Sequence, residues 1–213
     1  WCMSLDTRFA LLGMDGYFIN YRNFQEIELE YTKRYEGIRW KLVFGCYEGV
    51  QQFAVNELQK VIQKYMPYVI QVENATLDTV KDQDNLLLIG TPDNNPLIKD
   101  LIDKAVIESP AGPQGFTAAC TDSPWSEGKK VIAIAGYDSE GVLYGVVEFV
   151  CQILNNQVLV DHPNKLREAF DGIKPFSVSD RPLMENRGIW TWGYVIYDYR
   201  RFLDNMARLR MNM

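Results

Sequence analysis

Histidine is almost missing from this sequence: a single residue, His162, in 213. Its setting, Asp161-His162-Pro163, reads as a turn. One histidine cannot build a histidine-rich metal site, and the cysteines do not make up for it. There are four, Cys2, Cys46, Cys120 and Cys151, with no pair at metal-ligand spacing. Cys120 and Cys151 lie in apolar segments and read as buried thiols, which fits a reducing compartment and a cytoplasmic protein. Cys46 has no neighbouring histidine base, so a thiol nucleophile is not expected. Around it, Gly45-Cys46-Tyr47-Glu48-Gly49 lacks the Lys-Ser/Thr of a phosphate loop and the third glycine of a dinucleotide fingerprint. Asp82, Asp84, Asp93 and Asp103 are too irregularly spaced for a calcium loop. No metal and no cofactor is expected.

Positive charge is also in short supply. Lys and Arg total 22 against 28 Asp and Glu, a net charge of −6. Binding to phosphate needs a basic face, so neither nucleic acid nor an anionic membrane is an expected partner. Arg200, Arg201, Arg208 and Arg210 all fall on the last helix and read as a solvated flank. No apolar run reaches the roughly 18 residues that span a bilayer. Residues 1–14 have Ala10-Leu11-Leu12 but no basic leader region, so they do not read as a signal peptide. The first residue is Trp1 rather than Met, which fits removal of an earlier segment. Internal repeats and low-complexity tracts are not found.

What is present is an ordinary globular composition, 47% hydrophobic and 23% charged. Residues 1–37 read as an extension that is strand in part, since Ile27, Leu29 and Tyr31 alternate with glutamates. Ile38, Trp40, Leu42 and Phe44 alternate likewise, predicting a strand with one polar face. The period then changes. Val50, Phe53, Ala54, Leu58, Val61, Ile62 and Tyr65 predict a helix of about four turns. Short strands are expected at Val69–Val72 and Asn85–Gly90, and a short helix at Pro96–Ala105. Phe116–Thr121 and Lys130–Gly136 read as an antiparallel pair. A second long helix, capped by Asp138 or Ser139, runs to about Leu154. Gly141 and Gly145 on that helix point to close packing on a sheet, with a ligand contact as the alternative. Residues 155–180 read as a connector with one short strand at Val158–Val160. The fold class expected is an α/β (α+β) layer domain, with two long helices on a mixed sheet, over residues 38–180. After it, Gly188–Trp192 reads as a strand, Gly193 as a turn, and the segment ending on Asn212 as an amphipathic helix.

Two stretches carry a family resemblance. Gly136-Tyr137-Asp138-Ser139-Glu140-Gly141-Val142-Leu143-Tyr144-Gly145 follows the pattern G-x-D-x-x-G-x-x-Y-G. It resembles the run that opens the second long helix of the non-catalytic α/β domain in several glycoside hydrolases. These are the family 20 β-N-acetylhexosaminidases and the related families 67, 84 and 89. Asp180-Arg181-Pro182 with Arg187-Gly188 looks like the family 20 linker and first barrel strand. Leu203-Asp204-Asn205-Met206-Ala207-Arg208-Leu209-Arg210-Met211-Asn212 looks like the first barrel helix. The resemblance covers roughly residues 38–213. It implies that residues 181–213 are the opening strand and helix of a truncated (β/α)8 barrel. Where family 20 continues to an Asp and an Arg-His pair, this chain has Trp192, Val195 and Ile196, which sets it on a branch beside that family.

Glycosidases of the usual kind need two carboxyls about 5–5.5 Å or 6.5–9.5 Å apart, and in a barrel these come from the middle strands. No residue here matches them, so no catalytic residue is assigned. The resemblance gives Arg187 a contact to sugar hydroxyls; a structural pairing with a neighbouring carboxylate is the alternative. Trp190 and Trp192 lie at alternate positions and could stack on a sugar, or fill a barrel core. The function expected is the accessory domain and barrel start of a carbohydrate-active hydrolase, whose parent acts on N-acetylhexosamine or uronic acid residues. A free-standing binding domain is the alternative. An uncovered stripe of Phe202, Leu203, Met206, Leu209 and Met211 would give it a route to self-association.

Overall fold

The computed structural model describes residues 37–63, 66, 68–79, 84–150, 173–190 and 198–212. The expected strands at Ile27–Tyr31 and Val158–Val160, and the residues His162, Cys2, Cys151 and Trp192, lie outside them. Ten elements are described: β1 (Trp40–Phe44), α1 (Gly49–Ile62), β2 (Gln71–Asn74), β3 (Asn85–Gly90), α2 (Pro96–Asp103), β4 (Phe116–Asp122), β5 (Lys130–Gly136), α3 (Ser139–Glu148), β6 (Phe176–Asp180) and α4 (Tyr199–Arg208).

The six strands form one mixed sheet in the order β2-β1-β3-β5-β4-β6. From β2 to β5 the neighbours run parallel; β4 is antiparallel to both β5 and β6. The registers align Leu42 with Leu87, Leu87 with Ile132, and Ile132 with Cys120. Strand side chains alternate between faces. Trp40, Leu42, Leu87, Ile89, Ile132 and Ile134 therefore meet the buried faces of α1 and α3. Val43, Leu86, Leu88, Val131, Ala133 and Ala135 meet Leu97, Ile98 and Leu101 of α2 on the other side. The sheet is thus covered on both faces, in three layers. All four apolar residues of β3 are buried, each side chain contributing about 1.5–3 kcal/mol over exposure.

Within the sheet domain, two helix starts are fixed by side chains. The fully buried Asn95 caps α2, its Oδ1 accepting from the Leu97 and Ile98 amides at 3.1 and 3.3 Å. Its amide group donates to the Ile89 carbonyl at 3.1 Å, so one residue ties helix and strand together. Asp138 caps α3: its Oδ1 accepts from the Gly141 amide and its Oδ2 from the Gln114 amide, both at 2.8 Å. The loop before β4 lies against this helix start. A Cβ on Gly141 would collide with the Gly115 carbonyl oxygen, and one on Gly145 would sit 2.7 Å from Cγ2 of Ile134. The reading of close packing on the sheet holds for Gly145; for Gly141 it is corrected, since its close neighbour is the backbone of the loop before β4.

Three further expectations are corrected. Residues 173–180 are no mere connector: Phe176–Asp180 is an edge strand on β4, with Val178 opposite Ala118. Its alternation of Phe176 and Val178 with Ser177 and Ser179 is strand periodicity, diluted by serines that face solvent at an edge. The described part of the expected strand at Gly188–Trp192, residues 188–190, pairs with no strand. An extended segment needs a paired neighbouring strand to become part of a sheet. The last helix ends at Arg208, not at Asn212.

Adding a methyl group at Gly141 meets a backbone carbonyl; at Gly145 it meets side chains, Cγ2 of Ile134 and, less closely, Phe116. Gly141→Ala should therefore destabilise by about 1–3 kcal/mol, the scale of overpacking, and more than Gly145→Ala, read by thermal melts. Burial raises the Cys120 thiol to about 11. Native protein at pH 8 should therefore resist alkylation at Cys120, and the thiol should react on unfolding, as read by mass spectrometry of trapped peptides.

Candidate functional site

Two places deserve comparison, one at the sheet's carboxyl edge and one where the C-terminal segment meets α3. At the edge, α1 leaves β1 toward one face of the sheet and α2 leaves β3 toward the other. Open α/β sheets bind ligands in crevices of that kind. Here the crevice is filled by the chain itself. Asn94 crowds both Gly45 and Gly90, accepts from the Thr91 amide at 2.9 Å, and donates to Gln51 at 3.1 Å. Gln51 in turn donates to the Ser139 hydroxyl at 3.1 Å. Gly45 serves close packing against Asn94.

The second place is built around Arg187. The chain leaves the sheet after Asp180 and runs as a strap, 181–190, and the helix α4 lies beyond residues 191–197. Arg187 has five N–H donors, and the chain itself supplies an acceptor for each. Nε donates to the Arg210 carbonyl at 2.8 Å. Nη1 donates to the carbonyls of Met184 and Glu185. Nη2 donates to Oε1 of Gln114 and to the Tyr144 hydroxyl, both at 2.8 Å. The guanidinium also lies over the Tyr144 ring, 5.2 Å from its centre. Burial raises the Tyr144 phenol, and the nearby Arg187 charge offsets part of that shift. The alternative of a carboxylate partner for Arg187 is not what is seen; its acceptors are carbonyls, an amide and a phenol.

Around that hub the strap and α4 close on each other. Asn212 donates from its backbone to the Arg187 carbonyl and accepts from the Arg187 amide, both at 2.8 Å. Its side-chain amide donates to the Glu185 carbonyl at 2.8 Å. Past α4, the amides of Arg210 and Met211 donate back to the carbonyls of Ala207 and Met206. That pattern normally places glycine at the left-handed position, yet Arg210 occupies it with φ 57°. The strained backbone aims the Arg210 side chain at Glu148 of α3 and at Asp180, 3.3 Å away at the end of β6. Arg208 forms a two-pronged pair with Glu57 of α1, at 2.7 and 2.9 Å. The reading of Arg208 and Arg210 as a solvated flank is therefore corrected: both face carboxylates of the sheet domain.

Trp190 stands 78% exposed, with Leu183, Met184, Tyr199 and Leu203 also exposed nearby in sequence. Of the expected apolar stripe on α4, Met206 is buried while Leu203 and Leu209 are exposed. Sequence reading missed Gln114 and Tyr144 as partners of Arg187. Tyr144 stood inside the quoted motif, but nothing in a linear pattern says that its hydroxyl meets a residue 43 positions away. Among the described residues no cluster of three His, Cys, Asp or Glu is placed to hold a metal ion. Likewise among them, no helix is long and apolar enough to cross a membrane.

No protein-family model and no curated protein matches this chain. Among solved structures, it is similar to a GH138 enzyme targeting pectin rhamnogalacturonan II, with 17% sequence identity and a TM-score of 0.42. The match takes in 82% of this chain and 23% of that structure's chain.

Hydrogen bonding by Arg208 holds the Glu57 carboxyl below its ordinary range, against an opposing push from burial. A lowered carboxylate contributes stability above its unperturbed pKa and loses it as pH falls through the lowered value. Acid should therefore loosen α4 from α1 only below the usual glutamate range. Glu57→Gln should leave the contact weak at neutral pH and remove that part of the acid response, as followed by hydrogen exchange of residues 199–212 between pH 3 and 7.

Proposed function

We propose that this chain is the accessory α/β domain, together with the opening strand and helix of a (β/α)8 barrel, of a carbohydrate-active hydrolase. The single observation that carries the reading is a contact. Tyr144, from the run that resembles the accessory domain, accepts a hydrogen bond at 2.8 Å from Arg187, of the run that resembles the barrel start. Two motifs recognised separately thus meet at one joint, as expected of an accessory domain that seats the first unit of a barrel. The crevice at the sheet edge, where open α/β sheets often bind a ligand, is occupied by Asn94.

In this reading the sheet domain is a support, and the sugar is met at the barrel mouth. Trp190, with its indole exposed, and Trp192 offer flat apolar faces for the C–H face of a sugar ring. Arg187 positions that segment. A direct contact from Arg187 to sugar hydroxyls would require it to exchange its bonds to Gln114 or Tyr144. The parent would act on N-acetylhexosamine or uronic acid residues, with its paired carboxyls on later barrel strands. The strand expected at Gly188–Trp192 forms only where neighbouring barrel strands flank it.

Two measurements on the 213-residue chain test this. A panel of nitrophenyl glycosides should show no turnover above buffer. Turnover that vanishes when an acid within these residues is replaced would overturn the assignment. Deleting residues 184–213 should leave a cooperative melt and a sharp monomer peak, because all six described strands of the sheet lie at or before Asp180. Collapse of the truncated chain would mean that the tail belongs to the core and is not a barrel start.

A further inference from the structure

We infer that the C-terminal strap and helix form a polar latch, fastened by three arginines, that opens as one unit while the sheet stays folded. The inference stands apart from the hydrolase reading, since it needs only the contacts within this chain. The first support is how little apolar fastening there is. Along α4 Met206 is buried and Ala207 packs half-buried against the core, while Leu203 and the strap residues Leu183, Met184, Ile189 and Trp190 are all exposed. The sheet domain is the opposite case, with both faces of β3 buried under helices.

Charge supplies the second support. The strap and helix bring Arg187, Arg208 and Arg210, while the sheet domain presents Glu57 on α1, Glu148 on α3 and Asp180 at the end of β6. Two of the arginines pair with those carboxylates, across three separate elements. The third, Arg187, donates to Gln114 and Tyr144 of the domain and to three carbonyls of its own segment. It thereby couples the closure of strap on helix to the docking of both on the domain. A third observation is the left-handed Arg210. Glycine would relieve that backbone, yet an arginine sits there, and its side chain reaches both Glu148 and Asp180.

Fastenings of this kind release differently from an apolar core. Hydrogen bonds to a charged group fail together when the shared donor is removed, whereas core strands open only with global unfolding. The test is amide hydrogen exchange, read by mass spectrometry, on the full chain. Arg187→Gln should speed exchange in peptides covering 181–190 and 199–212 by about tenfold or more, with β3 and β5 unchanged. Arg187→Lys should give little rescue, because an ammonium with three donors cannot replace a five-donor fork. Tyr144→Phe, which keeps the ring and removes one acceptor, should shift the same peptides in the same direction by less. It guards against Arg187→Gln simply failing to fold. Unchanged strap exchange in Arg187→Gln, loosening of strap and sheet together in both variants, or full rescue by lysine would each overturn the latch. Loss of glycosidase relevance for the parent would leave these outcomes untouched.

Discussion

The central strands of this sheet must be dry on both sides, and the remaining architecture follows from that requirement. Leu86 to Ile89 carry apolar side chains at four consecutive positions, so neither face of β3 can be left to water. Parallel neighbours on each side satisfy its backbone, and each parallel connection needs a crossover. The crossovers α1 and α2 go to opposite faces. With α3 beside α1, the sheet is closed above and below. The opposite departures open a crevice at the carboxyl edge, and Asn94, Gln51 and Ser139 fill it. A fold that often hosts a ligand at this point here devotes the same ground to holding α1, α2 and α3 in register.

Asp138 stands where that core meets the C-terminal segment. Its two carboxylate oxygens accept from the Gly141 and Gln114 amides, which sets the helix start and the loop before β4 at once. The side chain of the same Gln114 accepts from Arg187 and donates to the Glu185 carbonyl. Three residues therefore link the cap of a buried helix to the pose of an exposed strap. The link is polar throughout. Rigid core and fastened strap are held by different forces, and their stabilities can be separated.

Much of the sheet domain was legible from periodicity. β3 falls at the expected residues, Asn85 to Gly90, and β4 with β5 form the expected antiparallel pair. Both long helices begin where the period shifts from two to 3.6. Lys41 shows the limit. Alternation made it a solvent-facing residue of a half-wet strand, but the α2 side of the sheet is covered too, and Lys41 is 3% exposed with Glu73 at 3.5 Å. β6 was hidden for the converse reason: an edge strand needs little apolar pattern, since part of its surface stays in water.

The sequence by itself settled local matters: where β3, β4, β5 and the two long helices fall, that Asp138 or Ser139 caps a helix, and that Gly141 and Gly145 mark close approach. These depend on residues within a few positions of one another, where dihedral preference and side-chain reach decide. Only the tertiary structure decided that Tyr144 and Gln114 receive Arg187, that Arg208 and Arg210 find Glu57, Glu148 and Asp180, and that Gly45 packs on Asn94. Those contacts join residues 30 to 151 positions apart. Their partners are chosen by strand order and helix placement, which the packing of the whole sheet sets and no local pattern encodes.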